Sequence, residues 1–348
     1  MRTSRREFLV GATALSGATT LFGARAFAAE KTVTATFGPV SGIYAANLVA
    51  LELGFAKEEG LELKLVTTDG GAKSRQVLAA GQAMYGHGDA THPLQIANRG
   101  KPAKMLLCTE NIASYANIVV RRDLYDQGIT SPEKLAGWKR PDGAKPIVAA
   151  TAIGSGTWMF GSYIFERLGA GDRINWVAGG GPKTMLGALS TRQFDAIMAV
   201  PSWEFEAEEK GWGKSIYDVR DRAAWDRAFG GTLPVSVVYA LDPQIADKAT
   251  TQAYVNAIYR AMQWLKATPS DAVYARIGEK YLSELDPAAS KREIDWYKAA
   301  WNFSGEIGEA DFARGGKVWY RDGTDIKETS YKDAVAPQFF EAARKKYG

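Results

Sequence analysis

Hydrophobic and polar positions alternate along residues 32–37. Val33, Ala35 and Phe37 fall on one side and threonines on the other, the period of a half-buried strand. The loop Gly38-Pro39-Val40-Ser41-Gly42 follows. Residues 43–59 then carry apolar side chains at helical spacing, and Gly60 supplies a stop. Leu61, Leu63 and Leu65 restore the period of two. Gly70-Gly71 opens a helix over 72–80. A short strand at 83–85 runs into a turn at Gly86-His87-Gly88-Asp89, a helix covers 91–98 up to Gly100, and 104–109 is an apolar strand.

Much of this order recurs. Residues 147–150 predict a strand, and Gly154-Ser155-Gly156-Thr157 opens a helix that runs to 168. A strand at 175–178 leads through Gly179-Gly180-Gly181 into a helix at 182–189. A strand at 194–200 meets Pro201-Ser202, which starts a helix ending near Gly211, and 215–219 is again a strand. Strands alternating with helices at this spacing make parallel-rich sheets with helices on both faces, and two such runs make two α/β lobes. The isolated strands 118–121 and 235–241 fit as connections between lobes. The segment after Ala246 is helical (252–266, 271–281, 291–300), has no sheet of its own and is expected to pack on the first lobe. The expected organisation is discontinuous: 29–112 plus 236–348 as one lobe, 113–235 as the other, with a cleft between them.

In open α/β sheets ligands sit beyond the carboxyl ends of the strands. The loops there are 38–42, 86–91, 154–157 and 200–203. Each precedes a helix and offers unpaired N–H groups and the positive end of a helix dipole to an anion. In Gly154-Ser155-Gly156-Thr157 the glycines let a ligand approach the backbone and Ser155 and Thr157 add donors, but the same residues read equally well as a plain N-cap. Ser202 opens the corresponding later helix. Trp158 and Trp203 beside these loops either wall the cleft or pack. His87-Gly88-Asp89-Ala90-Thr91-His92 holds both histidines of the chain, and His87, Asp89 and His92 are a conceivable zinc set for a secreted hydrolase. No third histidine exists, and the alternatives are ligand hydrogen bonding by His87 or Asp89, or a turn and cap. Asp89 and Glu110 would instead suit a neutral or cationic heterocycle. The two Lys-containing glycine loops, at 69–74 and 180–184, lack the glycine that a phosphate loop needs before its lysine, and no serine elbow is present.

Composition changes one conclusion. The chain has a formal charge of +4, but residues 1–28 carry Arg2, Arg5, Arg6 and Arg25 against Glu7, leaving the remainder near +1. Nucleic-acid and membrane-surface binding thereby lose the positive field they require. Ser4-Arg5-Arg6-Glu7-Phe8-Leu9, a weakly apolar stretch and Ala26-Phe27-Ala28 read as a twin-arginine export signal cut before Ala29, with no cysteine there for a lipid anchor. The expected location is the periplasm. A single cysteine, Cys108, precludes an internal disulfide and reads as a buried apolar residue.

Three phrases carry a family resemblance: Gly54-Phe55-Ala56-Lys57-Glu58-Glu59-Gly60-Leu61, Leu78-Ala79-Ala80-Gly81-Gln82, and Gln193-Phe194-Asp195-Ala196. With them, 29–348 resembles the nitrate/sulfonate/taurine family of periplasmic substrate-binding proteins that serve ABC importers. The resemblance implies a two-lobe, type II binding-protein fold closing about a hinge, a membrane permease as partner, and neither cofactor nor catalysis. It implies ligand contacts from Ser41 and Tyr44 after the first strand, from the turn His87, Asp89, Thr91, and from Ser155 and Thr157. The ligand expected is a small organic anion, a sulfonate, taurine-like compound or aromatic carboxylate, bound by a monomer. The histidines of the 87–92 turn are not part of a shared family signature, and the single cysteine departs from the cysteine-rich motif of related fungal pyrimidine synthases.

Overall fold

The computed structural model describes residues 30–39, 41–282 and 287–348. The expected export signal, residues 1–28, lies outside these residues. Among the described residues, ten strands form two five-stranded sheets. The first sheet uses β1 (Lys31–Phe37), β2 (Leu61–Thr67), β3 (Tyr85–Asp89) and β4 (Ala103–Glu110). The second uses β5 (Asn117–Arg121), β6 (Ile147–Ala150), β7 (Asn175–Ala178), β8 (Ala196–Ala199) and β9 (Gly213–Tyr217). β10 (Ser236–Leu241) returns to the first.

The sheet orders are β2-β1-β3-β10-β4 and β7-β6-β8-β5-β9. β1 runs parallel to β2 and β3, and β6 parallel to β7 and β8. β10 is antiparallel to β3 and β4, and β5 antiparallel to β8 and β9. Each sheet therefore takes in one reversed strand, delivered by a chain crossing from or to the other sheet. The alternation of β1 places Val33, Ala35 and Phe37 in the core, while the shorter β8 is buried along its whole length, as a central strand covered on both faces must be.

The helix expected over 43–59 is broken. Gly54 sits in the left-handed region (φ 74°) and splits it into Ala45–Glu52 and Phe55–Glu58. A larger correction concerns Gly86-His87-Gly88-Asp89. The glycines suggested a turn, but these residues are the body of β3, in the middle of the first sheet. The glycines serve close approach rather than reversal: a Cβ on Gly86 would overlap the Tyr239 ring, and one on Gly88 would meet His92. Helices after β10 pack largely on the first sheet's lobe. Lys248–Ala267 covers Ala45–Glu52, and Pro337–Tyr347 lies against both Lys248–Ala267 and β4. Pro287–Tyr297 departs from that expectation, because it packs against Pro201–Glu209 beyond the second sheet as well as the turn Gly42–Tyr44 beyond the first.

Candidate functional site

Carboxyl ends of parallel strands from both sheets converge on one cavity of about 60 Å³. The end of β1 contributes Pro39, Ser41, Ile43 and Tyr44; the end of β3 contributes Asp89 and His92. Thr151, Ser155, Gly156 and Thr157 come from the end of β6, Val200 and Trp203 from the end of β8. Gly71, at the start of the helix Gly71–Ala79, and Tyr115, on the crossing between β4 and β5, complete the wall. The space suits a few water-sized atoms. A wider depression of about 890 Å³ lies beside Phe205 and Arg220 on the second lobe. It is an open surface groove lined by paired surface charges such as Arg220 and Asp218, and the strand-end loops do not reach it.

Ser155 is both a helix cap and a lining residue. Its Oγ caps the helix Gly156–Arg167 by accepting from the Trp158 N–H at 3.5 Å, and it lines the cleft. Thr151, Ser155 and Thr157 form a triangle of hydroxyls, with Oγ–Oγ distances of 3.1, 2.9 and 2.8 Å. Trp203, 2% exposed, reaches the cleft from the helix Pro201–Glu209, and its indole Nε1–H is buried without a partner among the described residues. A donor-only group left unmet inside a protein costs about 1–3 kcal/mol.

Asp89 is the one acid among the lining residues, which include neither Lys nor Arg. One carboxylate oxygen accepts from the Thr91 backbone N–H at 2.8 Å and from the Thr91 hydroxyl; the other accepts from Tyr115 Oη. Burial raises its pKa above the ordinary aspartate range despite these donors. His92 is bonded through Nδ1 to Tyr239 Oη at 3.2 Å, and burial followed by the nearby Arg75 charge holds it neutral.

Of the residues singled out in the sequence, Ser41, Tyr44, Asp89, Ser155, Gly156, Thr157 and Trp203 are brought together. Four are not. His87 lies inside β3, fully buried, accepting at Nδ1 from Asn47 Nδ2 and paired at Nε2 with Thr109 Oγ1, both at 2.7 Å. Burial lowers its pKa to about 3, so it is a neutral structural group with both nitrogens engaged. That arrangement dismantles the zinc set, and among the described residues no three His, Cys, Asp or Glu gather to hold a metal. Thr91 positions Asp89 instead of lining the cavity. Trp158 packs against the core. Ser202 is engaged by Glu293. Glu110 is also buried away from the cavity, held by Ser114. No motif in the sequence marks Tyr115 or Thr151, and Gly71 stands out there only as a helix start in a rejected phosphate loop. The sequence presents His92 only as a metal ligand.

Two lobes that exchange one reversed strand each, around a cleft at their strand ends, define the periplasmic-binding-protein fold. The chain belongs to the NMT1-like family, whose model matches residues 28–277. A protein from Bordetella bronchiseptica RB50 superposes with a TM-score of 0.78 at 24% identity, over 92% of this chain and 98% of its own. The periplasmic nitrate-binding protein NrtA from Synechocystis PCC 6803 gives 0.70 at 13% identity, over 91% and 89%. The periplasmic aliphatic sulphonate binding protein SsuA from Escherichia coli gives 0.65 at 12%, over 89% and 99%. At these identities the likeness is one of fold. No curated protein matches the chain in sequence. No helix among the described residues is long and apolar enough to cross a membrane.

Proposed function

We propose that the protein is the solute-binding component of an ABC-type importer, exported by the twin-arginine route to the periplasm, where as a monomer it captures a small ligand and presents it to a membrane permease without chemical change. The carrying observation is Trp203, a residue of the wall between two lobes that it shares with the start of the helix Gly156–Arg167, whose buried indole N–H has no partner among the described residues. A donor in that position is met when a ligand brings an acceptor. NrtA and SsuA, which share the fold, are named for nitrate and aliphatic sulphonates.

The charge inventory refines the ligand class. Donors among the lining residues are neutral (Trp203 Nε1, the hydroxyl triangle, backbone N–H groups), His92 is held neutral by burial, and the one carboxyl group is Asp89. A bare anion such as nitrate meets no cationic side chain there and faces Asp89. A taurine-like molecule, with acceptor oxygens at one end and an N–H donor at the other, satisfies both sets. Asp89 equally favours a second reading, a cationic or neutral heterocycle with N–H donors.

A thermal-shift and calorimetry panel tests this: taurine-like zwitterions, alkanesulfonates, aromatic carboxylates, nitrate and heterocyclic bases. A ligand at 100 times its Kd adds about 2.7 kcal/mol of stability. Zwitterions are expected to rank above nitrate. Binding by bases alone selects the second reading, and binding by nitrate alone overturns both.

A further inference from the structure

The loop after β8 was expected to offer its helix N-terminus to an external anion. The protein fills that position itself. Glu293, on the helix Pro287–Tyr297, is fully buried, and its Oε1 accepts from the Ser202 hydroxyl at 2.9 Å and from the Ser202 backbone N–H at 3.4 Å. Its Oε2 accepts from the Gly42 backbone N–H at 3.0 Å. Gly42 belongs to the loop that follows β1 of the first sheet, and Ser202 to the helix that follows β8 of the second. One carboxylate thus bonds to ligand loops of both lobes.

The immediate neighbours in sequence are cleft walls. Ser41 precedes Gly42 and Trp203 follows Ser202, and both line the cavity. The Tyr297 ring lies where a Cβ on Gly42 would have to go, so the backbone there is pressed against the same helix. The titratable groups facing Glu293 are Glu110 from the end of β4 and Tyr297 one turn along its own helix, and Tyr44 from the turn Gly42–Tyr44 faces those two in turn; among the described residues no basic side chain pairs with Glu293. A carboxylate buried without a cation is costly unless its hydrogen bonds are made. Glu293 makes them to two lobes at once, and separating the lobes must break one set.

We propose that Glu293 is a closure clamp: it positions Ser41 and Trp203 by holding Gly42 and Ser202 together, and its bonds set the balance between the closed and open cleft. The clamp does not require any ligand to be bound, so it stands or falls separately from the transport reading.

The test is an inter-lobe distance in the full chain without ligand. Lys64→Cys and Asp172→Cys place labels on exposed residues of the two lobes, and the native Cys108 is buried. Pulsed electron-electron resonance is recorded on this background and on the same background with Glu293→Ala, Ser202→Ala or both. The Glu293→Ala variant is expected to lose most of the short-distance population. Ser202→Ala is expected to shift it partly in the same direction, and the double variant to go no further than Glu293→Ala alone. That non-additivity is the mark of a direct interaction, which general loosening of the structure would not produce. If Glu293→Ala does not fold, Ser202→Ala carries the test. An unchanged distance in a folded variant, or fully additive shifts, overturns the clamp. A protein that opens on Glu293→Ala yet binds no ligand in the panel keeps the clamp and loses the function.

Discussion

The Asp89 carboxylate of the first lobe rests on Gly156 at the start of a second-lobe helix, so closely that a Cβ on Gly156 would overlap Oδ2. The positive end of that helix therefore already faces a carboxylate across the lobe boundary. In this structure the contact leaves no room for a side chain at Gly156.

Gly156→Ala follows from that contact. Gly156 is in the first turn of a regular helix and has no positive φ, so alanine suits its backbone and favours the helix by up to about 1 kcal/mol. The added methyl group instead obstructs Asp89. The expected result is a lowered Tm, because the methyl group displaces a buried, hydrogen-bonded carboxylate in the free protein, with ligand affinity reduced at least tenfold, about 1.4 kcal/mol. Calorimetric titration beside a thermal melt separates the two effects; a variant that binds normally removes Asp89–Gly156 contact from the mechanism.

Trp203→Phe deletes the unpartnered donor while keeping an aromatic wall. A hydrogen bond to a charged acceptor contributes about 1.5–3 kcal/mol, so affinity for a sulfonate or carboxylate should fall by about tenfold to a hundredfold. Stability of the free protein should hardly change, because an unmet buried donor disappears along with some packing. Equal affinity in Trp203→Phe would mean that the indole N–H does not meet the ligand.

Period and punctuation made the layers of this fold legible. Alternation found β1, and glycine-led loops marked both lobes and most strand-end contributions to the cleft, including Ser155, Thr157 and Trp203. What escaped depends on contacts distant in sequence. Glycines in β3 look like a turn until the Tyr239 ring is seen against Gly86, and His87 looks like a ligand until Asn47 and Thr109 take both its nitrogens. Ser202 stands at a strand-end loop like the ligand candidates, but its partner is Glu293, 91 residues away.

Asp195 explains one of the phrases behind the family resemblance. Fully buried, it pairs with Arg140 Nη1 at 2.8 Å and Arg121 Nη1 at 3.2 Å, and accepts from the Ile147 N–H at 2.9 Å. It thereby ties β5, β6 and β8 at one end of the second sheet, away from the ligand loops. Removing one partner of a buried ion pair costs about 3–5 kcal/mol. Asp195→Ala should lower stability by that amount in chemical denaturation while the folded fraction still binds ligand with normal affinity. A loss of affinity in folded protein would instead place Asp195 in the binding mechanism.

Glu293 also gives stability a particular pH dependence. Burial raises its pKa from the ordinary 4.5 to about 7, even though the Gly42 and Ser202 donors favour the charged form. Between those two pH values the folded protein keeps a proton that the unfolded chain has released, so stability falls as pH rises. The contribution is full below about pH 4.5 and is lost as pH passes about 7, amounting to about 3 kcal/mol at most. Burial shifts Glu110 and Asp89 in the same direction, so part of the slope belongs to them. Glu293→Gln removes one titrating group and leaves those two. Denaturation at pH 5, 6, 7 and 8 should show the wild type losing stability more steeply than Glu293→Gln, with the difference concentrated between pH 5 and 7. Parallel slopes across that range would mean that Glu293 releases its proton at an ordinary carboxylate pH in the folded protein.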